Sequence, residues 1–175
     1  LRERWQSCRE AGEPLSLILG DIDYFKRYND SYGHAEGDDC LRDVAAALAA
    51  ATESADITAR FGGEEFAILV NGPATTASTL AEAALTAVRK LNRPHAQSQV
   101  TDHVTMSLGV AGCVPSRELR PIDLIQAADE ALYAAKAAGR NQSITRPDFS
   151  SPSGQTPAPD RLHNSRPESR VYASL

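Results

Sequence analysis

The chain has 175 residues, of which 42% are apolar and 23% charged, with a formal net charge of −5. These are the proportions of a globular domain rather than a disordered chain, and a domain of this size buries roughly 70% of its unfolded surface without needing disulfides. The negative charge argues against a non-specific grip on nucleic-acid backbone, no signal-peptide pattern opens the chain, and no stretch approaches the roughly 20 apolar residues of a membrane span.

Residues 1–11 read as the end of a helix that begins upstream. Leu15, Leu17, Ile18 and Leu19 form a short apolar run after Gly12 and Pro14, predicting a buried strand. Residues 24–31 read as a short helix or turn. A long alanine-rich helix is predicted over 38–52, with Leu41, Val44 and Leu48 at helical spacing and Asp38 in the position of an N-cap. Residues 57–61 and 66–70 are two apolar runs around Gly62-Gly63-Glu64-Glu65, which predicts a hairpin. A helix over 76–91 ends before Pro94. Val104, Met106, Leu108 and Val110 alternate with Thr105, Ser107 and Gly109, the period of a strand. Pro121 opens a last helix that Gly139 closes, and Ile144 fits a final short strand. Strands alternating with helices around one tight hairpin predict an α+β fold in which helices pack on a mixed sheet.

The composition changes at residue 146. Residues 146–175 hold five prolines and six serines without apolar periodicity and read as a disordered tail. The cysteines, Cys8, Cys40 and Cys113, have no CxxC spacing and read as reduced cytosolic thiols rather than a disulfide framework or zinc site.

Three polar groupings carry chemistry. Asp21 and Asp23 end the first strand on one side, and Glu64 and Glu65 occupy the hairpin tip. Such carboxylates can converge on a divalent cation, since magnesium takes few carboxylates and fills its shell with water and substrate phosphate. Each pair alone is equally an ordinary solvated turn. Lys136 and Arg140, four residues apart, suit phosphate oxygens or simply a helix C-terminus, and Lys26 is open to the same two readings. Between strand and long helix, Asn29 and Asp38 could read a guanine edge, while His34 fits a hydrogen-bonding brace better than a metal ligand.

Taken in order, the blocks DIDYFKRYNDSYGHAEGD (21–38), RFGGEEF (60–66), VTMSLGV (104–110) and ADEALYAAKAAGRN (128–141) resemble the GGDEF domain family, the diguanylate cyclases, with GGEEF as the signature variant. The resemblance covers roughly residues 1–145. It implies a central, mostly antiparallel sheet flanked by helices, like the palm of nucleotide cyclases and polymerases. It also implies condensation of two GTP into cyclic di-GMP and two pyrophosphates by a homodimer, each 3′-hydroxyl attacking the other subunit's α-phosphate. By the same resemblance, Asp21, the Ile22 carbonyl and Glu64 hold metal, Mg²⁺ or Mn²⁺, two ions per site. Glu65 activates the hydroxyl or assists the metal, so Asp21, Glu64 and Glu65 form the catalytic set. Asn29 and Asp38 read guanine. Lys136, Arg140, Lys26 and the backbone at Phe25 hold phosphates, with Gly62 and Gly63 leaving them room. Asp23 supports the site, and Arg60 braces the hairpin or approaches the facing subunit's nucleotide.

Two departures stand out. The family's inhibitory RxxD product site reads Glu53-Ser-Ala-Asp56 here, and a glutamate repels phosphate, so no tight product inhibition is expected there. The family's opening Asp-x-Leu-Thr segment is missing, which implies an N-terminally truncated domain with a sensory or dimerising part upstream. A cytoplasmic catalytic domain is implied, whose full-length protein can be membrane-tethered, with no nucleic-acid partner and no membrane contact by this fragment. The alternative function is a catalytically silent module that binds GTP or responds to cyclic di-GMP.

Overall fold

The computed structural model describes residues 1–150. The elements run α1 (Arg2–Ala11), β1 (Leu15–Ile22), α2 (Phe25–Tyr32), α3 (His34–Ala51), β2 (Ile57–Arg60), β3 (Glu65–Asn71), α4 (Ala74–Lys90), β4 (Met106–Cys113), α5 (Pro121–Ala137) and β5 (Ser143–Thr145). The strands form one sheet in the order β2-β3-β1-β4-β5, antiparallel except where β5 lies parallel to β4. This is the α+β, mostly antiparallel architecture expected from the sequence.

β1 and β4 lie at the centre, and every residue of both is buried. The period-two pattern of β4 therefore separates two covered faces rather than a wet and a dry one. On one face, Ile18, Ile22, Phe66, Ile68, Met106, Leu108 and Val110 pack under α2, α3 and α4. On the other, Leu15, Leu17, Leu19, Leu69 and Ala111 pack under α5 and under Trp5 and Cys8 of α1. Cys8, Cys40 and Cys113 are free and buried, and burial pushes the Cys40 thiol up to about 11 and the Cys113 thiol to about 12.

Two glycines determine how closely helices approach. A Cβ on Gly109 would stand 2.1 Å from the Leu132 backbone nitrogen and 2.2 Å from the Ala128 carbonyl, so α5 rests directly on the β4 backbone. A Cβ on Gly37 would stand 1.8 Å from Asn29 Oδ1, so α3 admits the Asn29 side chain only because position 37 is glycine.

The structure corrects three local expectations. α3 starts at His34, one residue after α2 ends, so Asp38 lies within the helix and is not its N-cap. Gly33, at φ 86°, makes the break between the two helices, a conformation that favours glycine. Arg140 lies beyond α5, at φ 67°, and does not share a helical face with Lys136. The chain also stays docked past residue 145: the Arg146 amide donates to the Val110 carbonyl, Asp148 Oδ1 accepts from the Ala74 amide at 2.9 Å, and Phe149 packs on the second core cluster. The remainder of the expected tail, 151–175, lies outside the described residues.

Because the atoms facing Gly109 are backbone and cannot rotate aside, Gly109→Ala is expected to destabilise the fold by at least about 2 kcal/mol. Urea unfolding checks this, and a change under about 0.5 kcal/mol would contradict the close seating of α5.

Candidate active site

The site begins where β1 leaves the sheet. Asp21 pairs in register with Glu65 of β3 on one side and Ser107 of β4 on the other. One residue on, the Ile22 amide donates to the Glu64 carbonyl at 3.2 Å, which holds the hairpin tip against the strand end. Strand alternation turns the Ile22 side chain into the core and Asp21 toward α5, where its Oδ1 meets Lys136 Nζ at 2.8 Å.

Asp23 faces inward instead. It is 1% exposed, and its carboxylate accepts from Thr105 Oγ1 at 2.8 Å, Ser107 Oγ at 2.7 Å and the Asn141 amide at 3.1 Å. The same Asn141 is gripped by Arg89 of α4, whose Nε donates to Oδ1 at 2.7 Å and whose second nitrogen donates to the carbonyl at 2.6 Å. Two consecutive residues with positive φ, Arg140 and Asn141, are thereby held in a conformation that side chains rarely adopt.

Tyr24 also has positive φ, at 57°, and turns the chain from the strand into α2. Its carbonyl lies 3.3 Å from Nε2 of His95, which is fully buried. Burial holds the imidazole below its usual pKa and hence neutral, so the proton sits on Nε2, facing that carbonyl; Nδ1 is buried without a partner. The Tyr24 ring carries the Arg140 guanidinium 4.5 Å from its centroid and that of Arg27 at 4.9 Å.

At the hairpin, Arg60 donates to the Gly62 and Gly63 carbonyls at 2.7–3.2 Å and so braces the turn. A Cβ on Gly62 would stand 2.7 Å from Glu65 Oε2, whereas one on Gly63 meets nothing within 4 Å. Gly62 therefore makes room for the Glu65 carboxylate.

The expected guanine readers lie near each other: Asn29 packs against Gly37, the neighbour of Asp38, and its Oδ1 is buried without a hydrogen-bond partner. Asp38 and Lys26 are exposed, and Phe25 is buried at the start of α2, where the first amides have no helical acceptor. Glu53 is exposed, and Asp56 pairs with Arg4 of α1 at 2.8 Å. His34 is exposed at the start of α3. Among the described residues no group of three or more His, Cys, Asp or Glu side chains stands together as a metal cluster. The side chains of Tyr24, Arg27, Arg89, His95 and Asn141 were not singled out from sequence. Tyr24, Arg27 and Asn141 sit in the recognised blocks 21–38 and 128–141, but all five act through tertiary contacts that no spacing encodes.

Residues 1–142 match the family described as diguanylate cyclase, GGDEF domain. Diguanylate cyclase A of Treponema denticola is 38% identical over 137 residues, covering 78% of this chain and 36% of that protein. The solved GGDEF domain of DgcB from Caulobacter crescentus, in complex with c-di-GMP, superposes with a TM-score of 0.70 at 31% identity, covering 81% of this chain and 84% of the other. The active GGEEF domain of a diguanylate cyclase from Vibrio cholerae gives 0.66 at 32% identity, covering 82% and 94%. The chain spans about a third of the length of the curated relatives it matches.

Asp23→Ala would leave two hydroxyls and an amide without their shared acceptor and is expected to cost about 3 kcal/mol of stability. Chemical denaturation measures it, and a loss under about 1 kcal/mol would contradict the keystone role given to this carboxylate.

Proposed function

The chain belongs to the GGDEF diguanylate cyclase family, and on that premise we propose that it condenses two GTP into cyclic di-GMP and two pyrophosphates. The observation that carries the reading is Asp21, set between the hairpin tip bearing Glu64 and Glu65 and the Lys136 ammonium at 2.8 Å. Acidic groups for a cation and basic groups for phosphate thus meet at one strand end.

In the proposed reaction the 3′-hydroxyl oxygen of one GTP bonds to the α-phosphorus of the GTP held by a second copy. The bond from that phosphorus to the β-phosphate bridging oxygen breaks, pyrophosphate leaves, and the hydroxyl proton passes to Glu65 or to water. The same exchange in the opposite direction closes the ring, which is why two subunits are required. Asn29 and Asp38 read the guanine: a carboxylate suits N1–H and the 2-amino group, and an amide suits O6 or N7. Lys136, Arg140, Lys26 and the amide at Phe25 take the phosphates, the last with help from the unpaired donors of a helix N-terminus.

Family membership carries dependence on a divalent cation. Asp21, the Ile22 carbonyl and Glu64 would hold it, and Mg²⁺ or Mn²⁺, two per site, is our proposal. The donor set fits: few carboxylates at an open strand end suit an ion that completes its shell with water and phosphate, and a closed protein cage is not needed. Such an ion, when bound, promotes ionisation of the hydroxyl and neutralises charge on the phosphates. Lys136 neutralises Asp21 in the structure and is positioned to turn to a phosphate as that charge is taken over. We assign this domain to residues 1–149, since Asp148 and Phe149 dock on it, and place it in the cytoplasm with a sensory or dimerising segment upstream.

GTP turnover with Mg²⁺, with products separated by chromatography, tests the proposal. Cyclic di-GMP is expected, with activity per subunit rising with concentration or on fusion to a parallel coiled coil, and with losses of at least about 100-fold in Asp21→Asn and Glu64→Gln. GTP binding without product in either form would replace the cyclase by a silent nucleotide-binding module.

Feedback is expected to be weak. Glu53 offers a like charge to phosphate, and Asp56 is already engaged by Arg4. Titration with cyclic di-GMP should show no micromolar site here; micromolar binding that Asp56→Ala abolishes would overturn this.

A further inference from the structure

Arg140 has few constraints of its own. It lies past the end of α5, its backbone is held in the left-handed region, and among the described residues its Nη1 donates only to the Lys136 carbonyl, at 3.3 Å. A long side chain on such a turn samples many rotamers, and ordering it on a ligand costs conformational entropy. The structure supplies what limits that freedom. The guanidinium lies over the Tyr24 ring, 4.5 Å from its centroid, and that of Arg27, in the first turn of α2, lies 4.9 Å from the same centroid. Two like charges gathered on one aromatic side chain have no carboxylate partner among the ion pairs of the described residues. That is a costly arrangement unless an anion answers it.

The ring itself is not free to drift. Tyr24 is half-buried, and its φ of 57° is locked by the Tyr28 amide and by His95 Nε2, both directed at its carbonyl, at 3.1 and 3.3 Å. His95 is fixed in turn by the hydrogen bond its backbone N–H donates to the Asp102 carbonyl at 2.7 Å and by an edge-type contact with the Tyr28 ring, centroids 5.3 Å apart. A column therefore runs from buried core to site rim: His95, then Tyr24, then the two guanidinium groups.

We propose that Tyr24 is a positioning residue: its ring holds Arg140 and Arg27 together at the strand-end turn, so that the pair receives the terminal phosphates of the nucleotide. This rests on the reading of Arg140 as a phosphate ligand and adds two things to it, a new phosphate contact at Arg27 and the platform that orders both. The ring face attracts a guanidinium, and losing it weakens whatever the pair binds by roughly 3- to 10-fold, about 0.6–1.4 kcal/mol, while a nucleotide without terminal phosphates is unaffected.

Binding of guanosine 5′-[β,γ-imido]triphosphate and of GMP, at one Mg²⁺ concentration, separates the outcomes. Tyr24→Leu is expected to weaken the triphosphate by roughly 3- to 10-fold and leave GMP within about twofold, and Tyr24→Phe, which keeps the ring face, to restore the triphosphate. Arg27→Ala is expected to weaken the triphosphate selectively as well. Equal loss for both nucleotides in Tyr24→Leu, or failure of Tyr24→Phe to restore binding, would reduce the tyrosine to a structural role. If Arg140→Ala loses the preference for triphosphate over GMP and Tyr24→Leu keeps it, the platform is wrong and the phosphate assignment stands. If Arg140→Ala keeps the preference too, the phosphate assignment itself falls, and the platform falls with it.

Discussion

An aspartate carboxylate with 1% of its surface exposed survives only where donors surround it, and Asp23 has three, from Thr105 just before β4, from Ser107 on β4 and from the turn after α5. These segments are far apart in sequence: Thr105 and Ser107 lie more than 80 residues from Asp23, and Asn141 lies 118 away. None of them can move alone without leaving a buried charge short of a partner. The arrangement fixes the end of β1 relative to residues 140–141, and so fixes the distance between the acidic and basic halves of the proposed site. Asp23 belongs to the acidic motif and yet holds the frame, while Asp21, two residues earlier on the strand, faces the opening.

A second constraint sets where the basic half falls. Because position 109 lacks a side chain, α5 lies against the β4 backbone, and its last turn arrives over the end of β1. Lys136 then meets Asp21 without a long reach. Beyond the helix the chain must reverse within a few residues to enter β5, and it does so through Gly139, Arg140 and Asn141, all with positive φ. Strain of this kind persists where surroundings over-determine it. Here Arg89 grips Asn141 from α4 while Asp23, at the end of β1, takes its amide, so the turn is held from two sides.

Much of the fold was legible in the sequence, because its signals were local. Apolar runs bounded by glycine and proline marked β1 and the hairpin, and helical spacing marked α3 and α5. The double glycine before Glu64 implied that the carboxylates stood at a turn, and the register of Asp21 with Glu65 puts them beside the strand end. The readings that changed depended on tertiary packing. Asp38 looked like a cap because polar residues crowd 29–38, but Gly37 lets Asn29 close on the helix, and α3 begins four residues earlier. Four-residue spacing suggested a shared helical face for Lys136 and Arg140, but the helix ends between them and the rim is built by a turn. Thr105 and Ser107 entered the sequence reading only as the alternating positions of a strand, and they are buried donors to Asp23. Asp148 and Phe149, in a stretch that reads as a tail, cap α4 and cover the core, since composition reports the average of a segment and two docking side chains escape it.

The central claim is that one nucleotide spans the two halves that Asp23 holds together. The most direct measurement is a crystal structure of the chain with Mg²⁺ and a GTP analogue that cannot transfer its α-phosphate. Terminal phosphates are expected within hydrogen-bond reach, about 2.7–3.2 Å, of Lys136 and Arg140, with the cation on Asp21 and Glu64 and the guanine between Asn29 and Asp38. A nucleotide bound elsewhere, or one whose phosphates lie at the strand end while Lys136 keeps its ion pair with Asp21 and Arg140 points away, would contradict that claim.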